Sequence, residues 1–173
     1  MEREHFSRIY DAELHEIREK LLEMGGKVEL MINNAMKSLV ERDSILAERT
    51  IEFDHEINRL EVEIDEKCLQ VLATRQPTAR DLRFITLALK IVTDLERIGD
   101  QCAAIAKRAL ELNREPPLKP YIDLPRMAHW ASVMVKESLD AFVRGDDELE
   151  EQDEVENDQD EDHKDEQSHG RRF

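Results

Sequence analysis

Apolar residues recur every three or four positions along most of this 173-residue chain. This spacing places them on one face of an α-helix. The pattern predicts four helices, over residues 6–40, 44–73, 79–112 and 125–145. A break at Thr74–Pro77 and a proline-rich stretch at Asn113–Pro125 separate the later helices. Because long helices joined by short breaks are typical of antiparallel bundles, we predict an all-α fold: an antiparallel three-helix bundle followed by a fourth helix.

The composition supports an all-α fold and shows where the negative charge lies. Only five glycines and five prolines occur, fewer than an all-β fold with many turns requires. The formal net charge is −16, but residues 146–173 hold 14 acidic residues against three basic ones. Such a run repels itself and has little to bury, so we expect a disordered acidic tail. The acidity also argues against nucleic acid as a partner.

The chain shows no sequence signal for export or for membrane insertion. Its first 30 residues are charged throughout and lack the apolar centre of a signal peptide. No window approaches the roughly 18 apolar residues of a membrane span. Cys68 and Cys102 form neither a CxxC pair nor a disulfide framework. We therefore expect a cytoplasmic protein with two free, buried thiols.

A stretch of the first helix matches the fourth helix at an offset of 103 residues. The identical pairs are Met24 with Met127, Met31 with Met134, Val40 with Val143, Asp43 with Asp146, and Leu46 with Leu149. The match indicates either two amphipathic helices in the same phase or a second copy of one helical unit. On the second interpretation the chain divides into a three-helix bundle (1–115), a loop and first helix of an incomplete second unit (116–145), and the acidic tail (146–173).

The third helix carries the candidate metal site, Glu96 and Asp100. On a helical wheel Glu96 falls in the middle of the apolar stripe and Asp100 falls on its edge. A buried carboxylate must be protonated, paired or metal-bound. Two interpretations stay open: a site for one divalent or iron-type metal ion, and a salt bridge to another helix. Three acidic residues of the second helix lie on the flank of its apolar stripe and are either further ligands or a solvated edge: Asp54, Glu61 and Asp65.

Other chemistry finds less support in the sequence. Glu52 and His55 have the Glu-x-x-His spacing of di-iron bundles, as do Glu2 and His5. Glu52 and His55, however, fall on the side of the second helix away from its apolar residues. No phosphate-binding loop or nucleophile elbow is present, so the sequence offers little support for a catalytic site.

Residues 76–100 contain the motifs by which the chain resembles a known family. These are Gln76-Pro77-Thr78-Ala79-Arg80-Asp81-Leu82-Arg83, Leu89-Lys90-Ile91 and Asp94-Leu95-Glu96-Arg97-Ile98-Gly99-Asp100. Together they resemble the PhoU family, over about residues 6–145. The resemblance implies two similar three-helix bundles, each with an acidic metal motif that corresponds here to Glu96 and Asp100. It also implies a regulator that is not an enzyme. Such a protein couples the phosphate-transporter ATPase to a sensor histidine kinase, represses the phosphate-starvation response and forms homodimers.

The chain departs from the family pattern after the fourth helix. No second Gln-Pro loop or acidic motif follows, so we expect a truncated or rearranged second unit and at most one metal site. The apolar face of the fourth helix then needs a partner, which favours an oligomer. Two alternatives to the regulator remain: a carboxylate-bridged metal bundle of the iron storage or oxidase type, and a fragment that folds but has lost partner binding.

Overall fold

The structure, a computed structural model, describes residues 2–117 and 119–145, with side chains from residue 8 onward. It contains α1 (Glu2–Val40), α2 (Ser44–Thr74) and α3 (Ala79–Leu112), each packed against the other two. A fourth helix, α4, covers residues 123–145. The described ranges contain no strand, and the all-α prediction is confirmed. The predicted disorder of the acidic tail concerns residues outside these ranges.

The core lies between α1, α2 and α3. Its largest fully buried side chains recur at the spacing that the sequence shows: Ile17, Leu21, Met24, Val28, Met31, Ile57, Ile64, Val71, Ile85 and Val92. Cys68 and Cys102 belong to the same interior, as predicted, and both are free thiols. Each apolar stripe thus faces the other two helices, because only that arrangement removes all three stripes from water.

Local polar contacts set where α2 and α3 begin. The Asp43 carboxylate accepts a hydrogen bond from the Leu46 backbone N–H at 2.9 Å and caps α2. Thr78 and Asp81 form the predicted capping box at the start of α3, where each side chain accepts a hydrogen bond from the other residue's backbone N–H. The Tyr10 hydroxyl of α1 also donates to Asp81 at 2.7 Å, so this cap is tied to the bundle.

The turn between α1 and α2 holds the end of α3. Arg42 has a positive φ of 58°, a conformation that costs free energy for a residue with a side chain. Its guanidinium donates to the carbonyl oxygens of Leu112, at 3.0 Å, and Glu115. Leu112 is the last residue of α3 and Glu115 lies in the loop that follows, so Arg42 ties the end of α3 and the start of this loop to the α1–α2 turn.

The chain divides into two compact units, Met1–Glu137 and Ser138–Phe173, with the boundary inside α4. The division into repeats near residue 115 therefore stays a prediction. Within the first unit, the start of α4 lies beside the end of α1. Pro125, Ala128 and His129 line a pocket of about 260 Å³ together with Met36 and Val40. Among the described residues, no helix has the length and apolar character needed to cross a membrane.

Candidate functional site

Acidic side chains from two helices face one another where α2 packs against α3. We call Asp54, Glu61 and Asp65 of α2, with Glu96 and Asp100 of α3, the acidic cluster. Asp100 acts electrostatically on Asp54, Glu61 and Glu96, and Glu96 acts on Glu61. The structure therefore brings the predicted metal residues together with the α2 carboxylates that the sequence left open.

The cluster differs in burial from one residue to the next. Glu96 is half-buried, in agreement with its place in the apolar stripe, whereas Asp100 is exposed. The three α2 carboxylates are also half-buried. The Oδ1 atom of Asp54 is inaccessible to solvent and has no hydrogen-bond partner. The interpretation of the α2 residues as a solvated edge is therefore wrong for Asp54, because packing against α3 removes this oxygen from water.

Burial and mutual repulsion raise the pKa values within the cluster. Burial, followed by repulsion from Asp100, raises the pKa of Asp54 and of Glu96 above their ordinary values. Burial, followed by repulsion from Glu96 and Asp65, raises the pKa of Glu61. Burial alone raises the pKa of Asp65. Each shift means that the charged form is less favourable here than it is in water. A bound cation would remove that penalty.

Gly99 allows the two helices to approach at this level. A Cβ atom on Gly99 would lie 3.3 Å from Cγ2 of Ile57 and 3.5 Å from Oδ1 of Asp54. A side chain at this position would therefore press against the Ile57 and Asp54 side chains of α2. Glycine between Glu96 and Asp100 therefore lets α2 bring Asp54 close to the α3 acidic motif.

The salt-bridge interpretation of Glu96 and Asp100 finds no support in the described part of the chain. Four ion pairs between helices join α1 to α2 or to its C-cap and do not involve these two residues: Lys20 with Glu63, Lys27 with Glu56, Lys67 with Glu16, and Arg75 with Glu13. On α3, Arg97 pairs with Asp94 at 3.6 Å, on the exposed side of the helix. Lys107 lowers the pKa of Asp54 and Arg97 lowers that of Glu96, but burial and repulsion between the carboxylates outweigh both effects.

The acidic cluster has the donor atoms that a metal ion needs, but its side chains are not already arranged around an ion. Carboxylate oxygens suit hard divalent cations, and the unpartnered Asp54 Oδ1 offers a free lone pair. Within residues 8–117 and 119–145, however, no three His, Cys, Asp or Glu side chains converge closely enough to hold an ion. Binding would therefore require the half-buried side chains to change rotamer.

Two other sets of residues do not join the cluster. Glu52 and His55 are exposed, whereas a di-iron bundle directs this motif inward. The side chains of Glu2 and His5 lie outside the described residues. Burial raises the pKa of Cys68 to about 12 and that of Cys102 to about 11, so both thiols stay protonated at neutral pH.

One residue that the sequence analysis missed belongs beside the cluster. The Oδ1 atom of Asn58 is also buried without a hydrogen-bond partner. Asn58 follows Asp54 by four positions, the same spacing as between Glu96 and Asp100, so both α2 oxygens lie on one face of the helix. That spacing is the signal by which the sequence could have indicated it.

Comparison with known proteins identifies a family match and full-length relatives. A model described as "PhoU domain" matches residues 21–109, just over half of the chain. Phosphate-specific transport system accessory protein PhoU homologues of Pseudomonas putida and Pseudomonas aeruginosa are 45% and 44% identical to it over 146 residues, 84% of the chain. The Escherichia coli accessory protein PhoU is 39% identical over 82% of the chain. The chain spans only 57–60% of the length of these three relatives.

Solved structures show the same fold. The chain resembles the crystal structure of PhoU from Pseudomonas aeruginosa with a TM-score of 0.75 and 44% identity, over 78% of this chain and 65% of that one. It also resembles the phosphate transport system regulatory protein PhoU from Streptococcus pneumoniae, with a TM-score of 0.68 and 32% identity, over 76% and 62% of the two chains.

Proposed function

The chain belongs to the PhoU family, and we propose that it regulates phosphate uptake and represses the phosphate-starvation response. The observation that carries this proposal is its 45% identity, over 84% of its length, with a phosphate-specific transport system accessory protein. The proposal includes the partners that the family resemblance implies, the phosphate-transporter ATPase and the sensor histidine kinase. It places the protein in the cytoplasm, where it can contact both the ATPase and the kinase. It assigns the protein no catalytic reaction of its own.

The proposed mechanism is docking through the bundle, with a cation at the acidic cluster. Glu96 and Asp100 would hold the ion from α3, and Asp54 would contribute from α2, where its Oδ1 has no other partner. A divalent or iron-type ion would neutralise the repulsion that raises the pKa values of Asp54 and Glu96. Both helices would then be held together at the level of Gly99, which would fix the bundle surface offered to a partner. The proposal also includes a homodimer.

Two other functions are less well supported. An iron storage or oxidase bundle would need His55 in the core, and His55 is exposed. A fragment without partner binding is a more direct competitor, because the chain spans only part of the length of its relatives. The structure of α1, α2 and α3 is the same under either hypothesis, so only a functional measurement separates the regulator from the inactive fragment.

A reporter assay in the native host separates these hypotheses. Deleting the gene should switch on a phosphate-starvation promoter in phosphate-rich medium, and a plasmid copy of the wild-type chain should restore repression. The variant Glu96→Ala/Asp100→Ala should restore it poorly. A matched control, Asp94→Ala/Glu111→Ala, also removes two α3 carboxylates, but both are exposed, and it should act like wild type. Unchanged promoter activity after deletion would contradict the regulatory role.

A further inference from the structure

Lys107 lies on the same flank of α3 as the acidic motif. It follows Asp100 by seven residues, two helical turns and about 10 Å along the axis, so the two side chains leave the helix in nearly the same direction. Side chains on a helix lean toward its N-terminus, and Lys107 therefore leans back toward Asp100. Because Lys107 is exposed and its four-carbon stem is flexible, its ammonium group is free to change position.

The same lysine faces the α2 side of the acidic cluster. Asp54 lies at the level of Gly99, with its Oδ1 atom 3.5 Å from where a Cβ atom on that glycine would be. Asp54 and Asp100 are therefore close across the contact between the two helices. The attraction of Lys107 lowers the pKa of Asp54, although burial and repulsion from Asp100 have the larger effect. Lys107 is thus near the cluster without neutralising it.

Two other bases act on the cluster, but neither is as well suited to compensate its charge. His55 attracts Asp54, but a histidine side chain is mostly neutral above pH 7. Arg97 attracts Glu96, but it lies on the exposed side of α3 and is paired within its own helix. A lysine side chain is charged at neutral pH, and Lys107 makes no ion pair with another described residue. Its charge is therefore available to the cluster.

We propose that Lys107 is the internal counter-ion of the acidic cluster and that a bound cation takes its place. The inference rests on the cation site of the proposed function and names the group with which the cation competes. Without a cation, the Lys107 ammonium group moves against Asp54 and Asp100 and reduces their repulsion. A divalent cation carries two charges and binds several carboxylate oxygens at once, so it displaces the lysine.

This exchange has two consequences for the bundle. The affinity for the cation is lower than the carboxylates alone would give, because the cation must displace Lys107. The surface beside the cluster also changes its charge, since the ammonium group returns to solvent when the cation binds. A partner that docks at this surface would therefore meet an additional positive charge only in the cation-bound form.

Thermal unfolding of the full chain in EDTA at pH 8 tests the counter-ion. Lys107→Met removes the charge and keeps an unbranched side chain of similar helix propensity, and it should lower Tm by about 2 °C. The matched control Lys90→Met should leave Tm unchanged, because Lys90 is also exposed on α3 but does not act on the cluster. In the background Asp54→Asn/Asp100→Asn the loss caused by Lys107→Met should disappear, because both carboxylates that the lysine faces are gone.

The affinity for Mn²⁺ tests the exchange, and electron paramagnetic resonance of the free ion measures it independently of any regulatory activity. Lys107→Met should bind Mn²⁺ about three- to fivefold more tightly than wild type. Lys107→Arg, which keeps the charge, should bind it no more tightly than wild type, and Lys90→Met should match wild type. The gain should shrink from about 50 to about 500 mM KCl, because salt screens the competing charge.

The two measurements together exclude a merely structural role for Lys107. Loss of a packing residue would lower both the Tm and the affinity for Mn²⁺, whereas loss of a competing counter-ion lowers the Tm in EDTA and raises the affinity. An equal Tm loss with and without Asp54 and Asp100 would overturn the counter-ion. An unchanged or weaker affinity of Lys107→Met would overturn the exchange.

Failure of the proposed function would look different. A wild type that binds no Mn²⁺ overturns the exchange together with the cation of the proposed mechanism, whereas the EDTA scans still decide whether Lys107 compensates Asp54 and Asp100. The reporter assay decides the regulatory role separately, because neither the Tm in EDTA nor the affinity for Mn²⁺ depends on a partner.

Discussion

Asp54→Asn should stabilise the cation-free protein at neutral pH, although it alters a half-buried residue. The Asp54 Oδ1 atom is out of contact with solvent and has no hydrogen-bond partner. Burial and repulsion from Asp100 raise the pKa of this carboxyl, and they outweigh a side-chain hydrogen bond from Asn58 and the attraction of Lys107, which lower it. The substitution removes the charge and supplies an amide that can donate to the unpartnered Oδ1 of Asn58, one turn along α2. Most other substitutions at buried polar positions destabilise.

The structure sets the size of the expected effect. One unsatisfied buried polar atom costs about 1–3 kcal/mol, and the replacement amide is itself imperfectly paired. We therefore expect a gain of about 1 kcal/mol in the free energy of unfolding, which raises Tm by about 4 °C for a domain of this size. Asp94→Asn is the control, because Asp94 is 73% exposed and its substitution should stay within about 0.5 kcal/mol of wild type.

The gain should depend on pH with a definite sign. The folded-state pKa of Asp54 is raised, so the folded chain binds the proton more tightly than the unfolded chain does. The stabilisation of wild type from this proton is complete below the unfolded pKa, about 3.9, and is lost as the pH rises through the folded pKa. Asp54→Asn should therefore show its full advantage at pH 7 and little advantage near pH 4.

Thermal unfolding followed by circular dichroism in EDTA measures both effects. Repeating the pH 7 scan with Mn²⁺ adds a second comparison, because a cation held by Asp54 should raise the Tm of wild type more than that of Asp54→Asn. A lower Tm for Asp54→Asn than for Asp94→Asn in EDTA would refute the reasoning about the uncompensated charge. An equal advantage of Asp54→Asn at pH 4 and pH 7 would refute its electrostatic origin.

Three further predictions concern the metal ion, the α1–α2 turn and the α3 cap. After equilibration with Mn²⁺ and desalting, elemental analysis should find metal on wild type and none on Glu96→Ala/Asp100→Ala; unchanged content in the variant would exclude this site. Arg42→Ala should destabilise the protein by about 1–2 kcal/mol in urea unfolding, because it removes the hydrogen bonds of the guanidinium. Arg42→Gly should destabilise it by about 0.5–1 kcal/mol less than Arg42→Ala does, because glycine relieves the strain of the positive φ. The reverse order would show that the backbone at this position is unstrained. Thr78→Ala should cost about 1 kcal/mol in the same assay, and no loss would mean that the capping box does not hold α3.

The helices were predictable because their signals are local. Periodicity placed the second helix at 44–73 and the third at 79–112, and the structure has Ser44–Thr74 and Ala79–Leu112. The cap at Thr78 was predictable for the same reason, since its partner Asp81 is only three residues away. Such contacts depend on sequence spacing and backbone geometry alone.

The site was only partly predictable, because it depends on how α2 lies against α3. The wheel correctly placed Glu96 in the apolar stripe, but it could not show that Asp54 rather than solvent faces that part of α3. The close approach at Gly99 and the buried oxygen of Asn58 also arise from packing between helices. A single helix carries no information about the distance to its neighbour, so these features required the structure.

We propose that this chain docks to the phosphate-transporter ATPase and the sensor kinase with its acidic cluster neutralised by a cation. Biolayer interferometry with the full chain and each purified partner from the same host tests it most directly. Binding should be saturable, and EDTA or Glu96→Ala/Asp100→Ala should weaken it about tenfold, the equivalent of about 1.4 kcal/mol, while Asp94→Ala/Glu111→Ala leaves it unchanged. Absence of binding to both partners, in Mn²⁺ as in EDTA, would contradict the proposed docking.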